Sequence, residues 1–345
     1  MPIEIPELPD IPALEAHLSE PDIALVENLS RVTGDILVLG AGGKMGPTLA
    51  MMARKALDHV GSSANVIAVA RFSDPEVRER LEVSGVKTLV CDLLDVEAVR
   101  NLPDAPNVLF MAGMKFGASG TPSLIWALNA LVPAIVAERY ADSRIVVFSS
   151  GNIYPFADVG SSGAVESTPP GPVGEYAQSV LARERIFDYF ANRNGTSILQ
   201  YRLNYAVEPR YGVPVDLCIK ILNDEPIDLS MGYVNLIWQR DANEIALRCL
   251  ARTANPPVVL NVTGAEVLSV RNLAERLGER LERVPMFMGR EKPEALLSEA
   301  SKSAEWFGPP PTSLNAMLDA VTNWIQGGGG TLDKPTKFQV RDGQF

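Results

Sequence analysis

Histidine is nearly missing from this chain of 345 residues: His17 and His59 are the only two. A catalytic triad built on histidine, or a histidine-rich metal site, has little to work with. Cysteine is scarce too. Cys91, Cys218 and Cys249 are scattered, form no CxxC pair and have no histidine nearby. That spacing argues against a disulfide framework and a zinc site, so no metal is expected and the cytoplasm is the expected compartment. Positive charge is in short supply: 31 Lys and Arg against 42 Asp and Glu leave a net charge of −11. Binding along a phosphate backbone needs clustered Lys and Arg, so nucleic acid is excluded as a partner. No apolar run approaches the ~20 residues of a membrane helix, and Met1–Pro12 lacks the basic start of a signal peptide. What is present, 46% apolar and 21% charged residues, is ordinary for a globular protein.

The apolar pattern divides the chain. Residues 1–33, rich in proline and acids, read as an arm over the body with one amphipathic run, Ile11–Leu18. From Asp35 onward short apolar runs alternate with helical stretches. Strands are expected near 35–39, 65–70, 86–90, 107–111, 144–148 and 197–203. Helices are expected near 46–60, 75–83, 95–101, 122–140 and 175–192. This alternation implies right-handed crossovers and an α/β fold, a doubly wound parallel sheet covered on both faces. The boundaries read as 34–204 for this sheet unit and 205–326 for a smaller mixed lobe with some return to the sheet. Within 205–326 fall a helix near 214–223, a strand at 258–262 and helices near 270–281 and 314–325. Gly327–Gly330 reads as a flexible linker. Residues 331–345 read as a polar tail, disordered or docked on a partner subunit.

One loop carries a chemical signal. Gly40-Ala41-Gly42-Gly43-Lys44-Met45-Gly46 falls between the first expected strand and the first helix. Glycine lets a backbone turn sharply and approach a pyrophosphate, which then sits at the positive end of the helix. Gly40, Gly42, Gly43, Lys44, Met45 and Gly46 are therefore candidate dinucleotide contacts. The glycine spacing is G-x-x-G-x-x-G, since Met45 stands where G-x-G-x-x-G needs its last glycine. At the tip of the second strand, Arg71 and Ser73 stand where an acid would bind the ribose 2′-hydroxyl. This favours NADP, with NAD the other possibility. Asp92 and Leu93, after the third strand, lie where a carboxylate accepts the adenine amino group, and Asp95 suits a helix N-cap. Arg202, Asn204, Tyr205, Arg210 and Tyr211 gather after the strand at 197–203 and suit a polyhydroxylated, carboxylate or phosphate-bearing substrate.

Taken in order, these motifs resemble the extended short-chain dehydrogenase/reductases, often called NAD-dependent epimerase/dehydratases, from about Asp35 to Ile325. The resemblance implies a Rossmann-like fold, a homodimer paired through helices 122–140 and 175–192, and a small-molecule substrate. Met111-Ala112-Gly113-Met114-Lys115 looks like the family's segment after the fourth strand, which implies Ala112, Gly113 and Lys115 as cofactor contacts. Asn129 looks like the helix Asn of the catalytic set. Ser149-Ser150-Gly151-Asn152-Ile153-Tyr154 looks like S-S-x-x-V-Y, implying Ser150 as the catalytic serine with Asn152 beside the substrate. Pro172-x-x-x-Tyr176 looks like the approach to the catalytic tyrosine, which also touches cofactor. Asn204, Tyr205 and Arg210 would complete the substrate site.

One position departs from the pattern. Where the family has Tyr-x-x-x-Lys, this chain reads Tyr176-Ala177-Gln178-Ser179-Val180. Tyr and Lys four apart share a helix face, and the ammonium lowers a phenol pKa from its ordinary ~10. Without it Tyr176 is expected to stay protonated, able to donate a proton but weaker as a base. Arg183, two turns on and ~10 Å along the axis, reads as too distant to replace the lysine. The implied function is an NAD(P)-dependent oxidoreductase or epimerase/dehydratase acting at a carbonyl or secondary alcohol of a sugar, sugar nucleotide or related hydroxylated metabolite. The alternatives are a non-catalytic dinucleotide sensor or scaffold, and a lyase or isomerase with a transiently reduced bound cofactor. If Arg71 reads a 2′-phosphate, Arg71→Ala weakens NADP binding about ten- to a hundredfold, the worth of a charge-assisted contact, and leaves NAD binding unchanged in parallel titrations. An equal loss for both nucleotides overturns that role.

Overall fold

The computed structural model describes residues 4–115 and 121–344. Seven strands form one parallel sheet: β1 (Ile36–Leu39), β2 (Val66–Ala70), β3 (Lys87–Val90), β4 (Asn107–Phe110), β5 (Arg144–Ser150), β6 (Ser197–Leu203) and β7 (Val258–Val262). Their order across the sheet is β7-β6-β5-β4-β1-β2-β3, every neighbouring pair parallel. The α/β doubly wound fold expected from the sequence is the fold observed.

The apolar runs explain the layers. All four residues of β1 are buried, and alternate residues face opposite sides of a strand. Ile36 and Val38 enter the core shared with helices Gly46–His59 and Gln239–Arg248. Leu37 and Leu39 enter the core shared with helices Val132–Arg139 and Gly174–Asn194. A third core, built around Trp238, Leu273, Leu297 and Val321, belongs to residues beyond β6 but also holds Leu14 and Leu18.

Several expectations need correction. The strand Val258–Val262, expected within the lobe, is the sheet's edge strand, paired with β6 from Val258 opposite Leu199 to Val262 opposite Leu203. The long helix expected over 122–140 is two helices, Pro122–Trp126 and Val132–Arg139, joined by a π-helical turn at Ala127–Leu131. Pro133 lacks the amide hydrogen a continuous α-helix would use there. The arm contains a second helix, Ile23–Leu29, capped by Asp22 accepting from Leu25 N at 2.7 Å. Gly327–Gly330 is no loose linker. Trp324 Nε1 donates to Gly330 O at 3.0 Å, and a Cβ on Gly329 would lie 2.3 Å from that indole. The tail after it docks on its own chain through 344; Phe345 lies outside the described residues.

Helix Gln239–Arg248 escapes the apolar pattern because its buried residues are largely polar. Asp241 accepts from Thr312 N and Oγ1, both at 3.1 Å, and Arg240 Nε donates to Glu20 O at 2.9 Å. Glu244, buried on this helix, shares a hydrogen bond with Asp22 of the arm. Burial first, then Asp22, push its carboxyl up to about 8, against the pull of Arg240 and Arg248. The folded chain therefore holds a proton that an unfolded Glu, with pKa ~4.3, releases. This contribution is fully present below ~4.3 and is lost as pH rises towards 8. The stability of wild type relative to Glu244→Gln is expected to fall across that window and to level off above it. Urea unfolding of both proteins at several pH values measures it, and a flat difference overturns the shared proton.

Candidate active site

The site sits where the strand order reverses, between β1 and β4, the position at which open α/β sheets bind ligands. The turn after β1 and the segment after β4 come very close there. Gly40 has φ +86°, and a Cβ on it would lie 2.6 Å from Ala112 N. A Cβ on Gly46 would lie 2.5 Å from Ala41 O. Only glycine permits both approaches. Helix Gly46–His59 begins at Met45 without any side-chain cap, so its first amide groups are available to an anion.

A cleft of about 320 Å³ opens beside this turn. Of the residues expected at a dinucleotide, Gly40, Gly42, Gly43, Arg71, Asp92, Leu93, Ala112 and Gly113 line it, and Lys44, Met45, Gly46, Lys115 and Tyr176 do not. Arg71 and Ser73 stand at its rim with Phe72. The φ of Phe72, +46°, is left-handed for a bulky residue. Asp92 Oδ1 accepts from Leu94 N at 3.0 Å, and Asp95 caps the next helix through Ala98 N at 3.0 Å. Met45 is buried in the core. These features fit a dinucleotide: a glycine cradle, an uncapped helix start, and a lining that carries the cations Arg71 and Lys334 and the carboxylates Asp74 and Asp92.

A second, inner cavity of about 140 Å³ adjoins the sheet's C-terminal edge. Ser150, at the end of β5, and Tyr176, in the first turn of helix Gly174–Asn194, face it together and share a hydrogen bond. Asn152, Asn204, Tyr205, Lys44 and Lys115 line the same cavity. Lys44 and Lys115, expected at the cofactor from the sequence, thus open onto the inner space. Ser150 Oγ accepts from Asn152 N and Nδ2 at 3.2 and 3.1 Å. Tyr205 has a left-handed φ of +44°, fixed as its carbonyl accepts from Ile237 N at 3.2 Å.

Three expected participants stand elsewhere. Arg210 does not line the cavity; its guanidinium is held by Glu208 at 3.1 Å and Glu15 at 3.2 Å. Asn129, expected to be catalytic, is fully buried and acts as a hub. It accepts from Met114 N at 2.9 Å and donates to Met114 O and Ser179 Oγ, both at 2.9 Å. Arg202, from the same polar cluster, is bound in the interior to Glu184 at 2.7 Å.

Arg183 corrects the distance argument from the sequence. Helical side chains lean towards the N-terminus, so a long arginine recovers part of two turns. Its Nη2 donates to Asn129 Oδ1 at 2.7 Å and its Nη1 to Phe148 O at 2.6 Å. Burial pulls Arg183 down to about 10, partly offset by Tyr176 and Glu184. Burial raises the Tyr176 phenol above its ordinary value, while Arg183's charge and the Ser150 hydrogen bond work against that rise. The expected protonated Tyr176 is therefore the state favoured at neutral pH. Val180, in the lysine's place, is buried against Ile153, Tyr154 and Ala164. The only cue for Arg183 in the sequence is its place two turns on along the same helix.

The model of the NAD dependent epimerase/dehydratase family matches residues 36–212, just over half of the chain. The protein therefore belongs to the NAD-dependent epimerase/dehydratase family, a family of enzymes. Similar solved structures include the Thermus thermophilus UDP-glucose 4-epimerase complexed with NAD, 20% identical with TM-score 0.70, covering 85% of this chain and 99% of that one. The UDP-glucuronic acid 4-epimerase of Bacillus cereus in complex with NAD is 18% identical with TM-score 0.69, covering 85% and 98%. MoeE5 in complex with UDP-glucose and NAD is 22% identical with TM-score 0.66, covering 86% and 99%. No curated protein matches the sequence. Among the described residues no helix is long and apolar enough to cross a membrane.

Gly113 generates a test of this geometry. A Cβ there would lie 2.3 Å from Arg183 Nη2 and 2.9 Å from Asn129 Oδ1. Gly113→Ala must push the guanidinium off its partners or move the cleft wall. It is expected to weaken NAD binding at least tenfold, about 1.4 kcal/mol, by calorimetry. Unchanged affinity would show that the cleft wall yields freely.

Proposed function

We propose that this protein is an NAD(P)-dependent enzyme acting at a carbonyl or secondary alcohol of a sugar, sugar nucleotide or related hydroxylated metabolite. The observation that carries the reading is the Ser150–Tyr176 pair at the inner cavity, next to the glycine-lined cleft. The compared epimerases hold NAD in their structures, which supports a dinucleotide in this cleft. The finer choice of NADP rests on Arg71 and Ser73 at the rim.

A bound nicotinamide supplies a hydride acceptor or donor. The chain's own groups manage the oxygen and its proton. Ser150 Oγ orients the reacting oxygen and polarises it. Tyr176, protonated at rest, donates its hydroxyl proton as a carbonyl becomes an alcohol and takes it back in the reverse direction. Arg183 stabilises the phenolate formed at that moment, since its charge lies close enough to lower the phenol. This is a weaker aid than a lysine on the same helix face, and it favours steps in which Tyr176 gives its proton. An epimerase, lyase or dehydrogenase can all be built on these groups. The homodimer is part of the same proposal; Trp126, Leu131 and Tyr189 are apolar residues exposed along the helices concerned.

A second reading, dinucleotide binding without turnover, is favoured by Val180 in the lysine's place. Tyr176→Phe separates the two. If Tyr176 moves the proton, turnover falls about 10²- to 10⁴-fold while cofactor affinity stays within a factor of two or so of wild type by titration. Full activity in that variant overturns the assignment. Denaturing the purified protein and identifying any released nucleotide by mass detection tests the class: stoichiometric NAD(P) favours an enzyme that regenerates its cofactor in each turnover.

A further inference from the structure

We propose that the C-terminal tail is part of the dinucleotide site: it holds Lys334 at the cleft, where the ammonium binds a phosphate of the cofactor. The proposal rests on the reading of that cleft as the place of NAD(P). It adds a ligand from outside residues 36–212, the part of the chain that the family model matches. Pyrophosphate and ribose 2′-phosphate present the same chemistry to an ammonium, and the test separates them.

The tail is seated on both sides of Lys334. Before it, Leu332 N donates to Arg210 O at 3.1 Å. After it, Thr336 donates to Asp216 Oδ2 from its N and its Oγ1, at 2.8 and 2.5 Å. Lys115 Nζ, from the segment after β4, donates to Thr336 O at 3.1 Å. Phe338 is buried in the lobe core. Between these anchors the backbone is stiff. Asp333 has a left-handed φ of +50°, and its Oδ1 accepts from Thr331 Oγ1 at 2.9 Å. Pro335 follows Lys334, and a residue before proline is confined to extended conformations. A lysine held this way gives up little backbone freedom when it meets a ligand.

The anchored segment borders both spaces of the site. Lys334 lines the cleft together with Gly40, Gly43 and Gly113. Thr336, two residues on, lines the inner cavity with Ser150 and Tyr176. A dinucleotide reaching from Asp92 in the one to Tyr176 in the other occupies both spaces along which the tail runs.

Charge explains why a cation is needed from the tail. Among the described residues lining the cleft, Arg71 and Lys334 are the cations and Asp74 and Asp92 the carboxylates. Both carboxylates are fixed in place. Asp74 caps helix Pro75–Val83, accepting from Glu76 N at 3.0 Å, and Asp92 accepts from Leu94 N at 3.0 Å. Without the tail the lining carries one cation against two carboxylates, the wrong sign for a pyrophosphate. The lysine inside the glycine turn does not redress this. Lys44 lines the inner cavity, with Nζ 3.4 Å from the Tyr211 ring centroid and donating to Ala206 O at 3.4 Å. Lys334 brings the lining into balance. It is exposed, so its ammonium keeps its hydration until a phosphate oxygen replaces it.

The test is calorimetry on the full chain, freed of any bound nucleotide and titrated with NAD and with NADP at low and at high salt. Lys334→Met is expected to weaken binding about tenfold, the worth of a charge-assisted contact. It is also expected to flatten the salt dependence, because a screened attraction has been removed. Lys334→Arg, which keeps the charge, is expected to stay within about threefold of wild type and to keep the salt dependence. A loss shared by NAD and NADP assigns Lys334 to the pyrophosphate, and a loss confined to NADP assigns it to the 2′-phosphate. A change below about fivefold for both nucleotides overturns the proposal. So does a loss with unaltered salt dependence, which is an effect of tail packing, and so does an equal loss in Lys334→Arg. Wild type that binds neither dinucleotide defeats the reading of the cleft itself; dinucleotide binding that Lys334→Met leaves intact defeats only the role of the tail.

Discussion

A single buried guanidinium holds the reacting end of this molecule together. Arg183 reaches from the second turn beyond Tyr176 to Asn129 Oδ1 and to the carbonyl of Phe148. It thereby ties helix Gly174–Asn194 to β5 and, through Asn129, to the Met111–Lys115 segment after β4. A charge taken so far from water is tolerated only when hydrogen bonds replace its hydration, and both of these partners are neutral oxygens. The charge is therefore not cancelled by a carboxylate at close range and acts on the phenol nearby. Gly113 is glycine because the guanidinium passes where its side chain would be.

The same economy of space shapes the lobe. The Arg210–Glu208–Glu15 cluster links the arm to the strand-end loops, so the two arginines gathered after β6, Arg202 and Arg210, serve the frame. The cavity is left to Tyr205, Tyr211, Asn152, Asn204 and two lysines. Burial holds the phenols of Tyr205 and Tyr211 protonated and lowers both lysines.

Much of the fold is legible because it repeats one rule. A short run such as Ile36–Leu39, apolar on every residue, can be satisfied only inside a sheet covered on both faces. Gly40 and Gly46 are legible because close backbone approach leaves no choice of residue. Helix Gln239–Arg248 is not, since its buried face carries Asp241, Asn243 and Glu244, whose partners are distant in the chain. The four glycines at 327–330 mislead for a related reason: whether glycine marks freedom or a tight wrap around an indole depends on a neighbour, here Trp324.

By itself the sequence determined the alternation of strand and helix, the glycine turn, the Ser150 and Tyr176 positions, and the absence of lysine at Val180. Each is a local fact, written in a few consecutive residues or in one helical period. Tertiary structure alone decided that Arg183 comes within electrostatic reach of Tyr176, and that Lys44, Lys115 and Thr336 line one cavity. These depend on side-chain direction and on contacts between residues as far apart as Asp216 and Thr336, separations that no local pattern encodes.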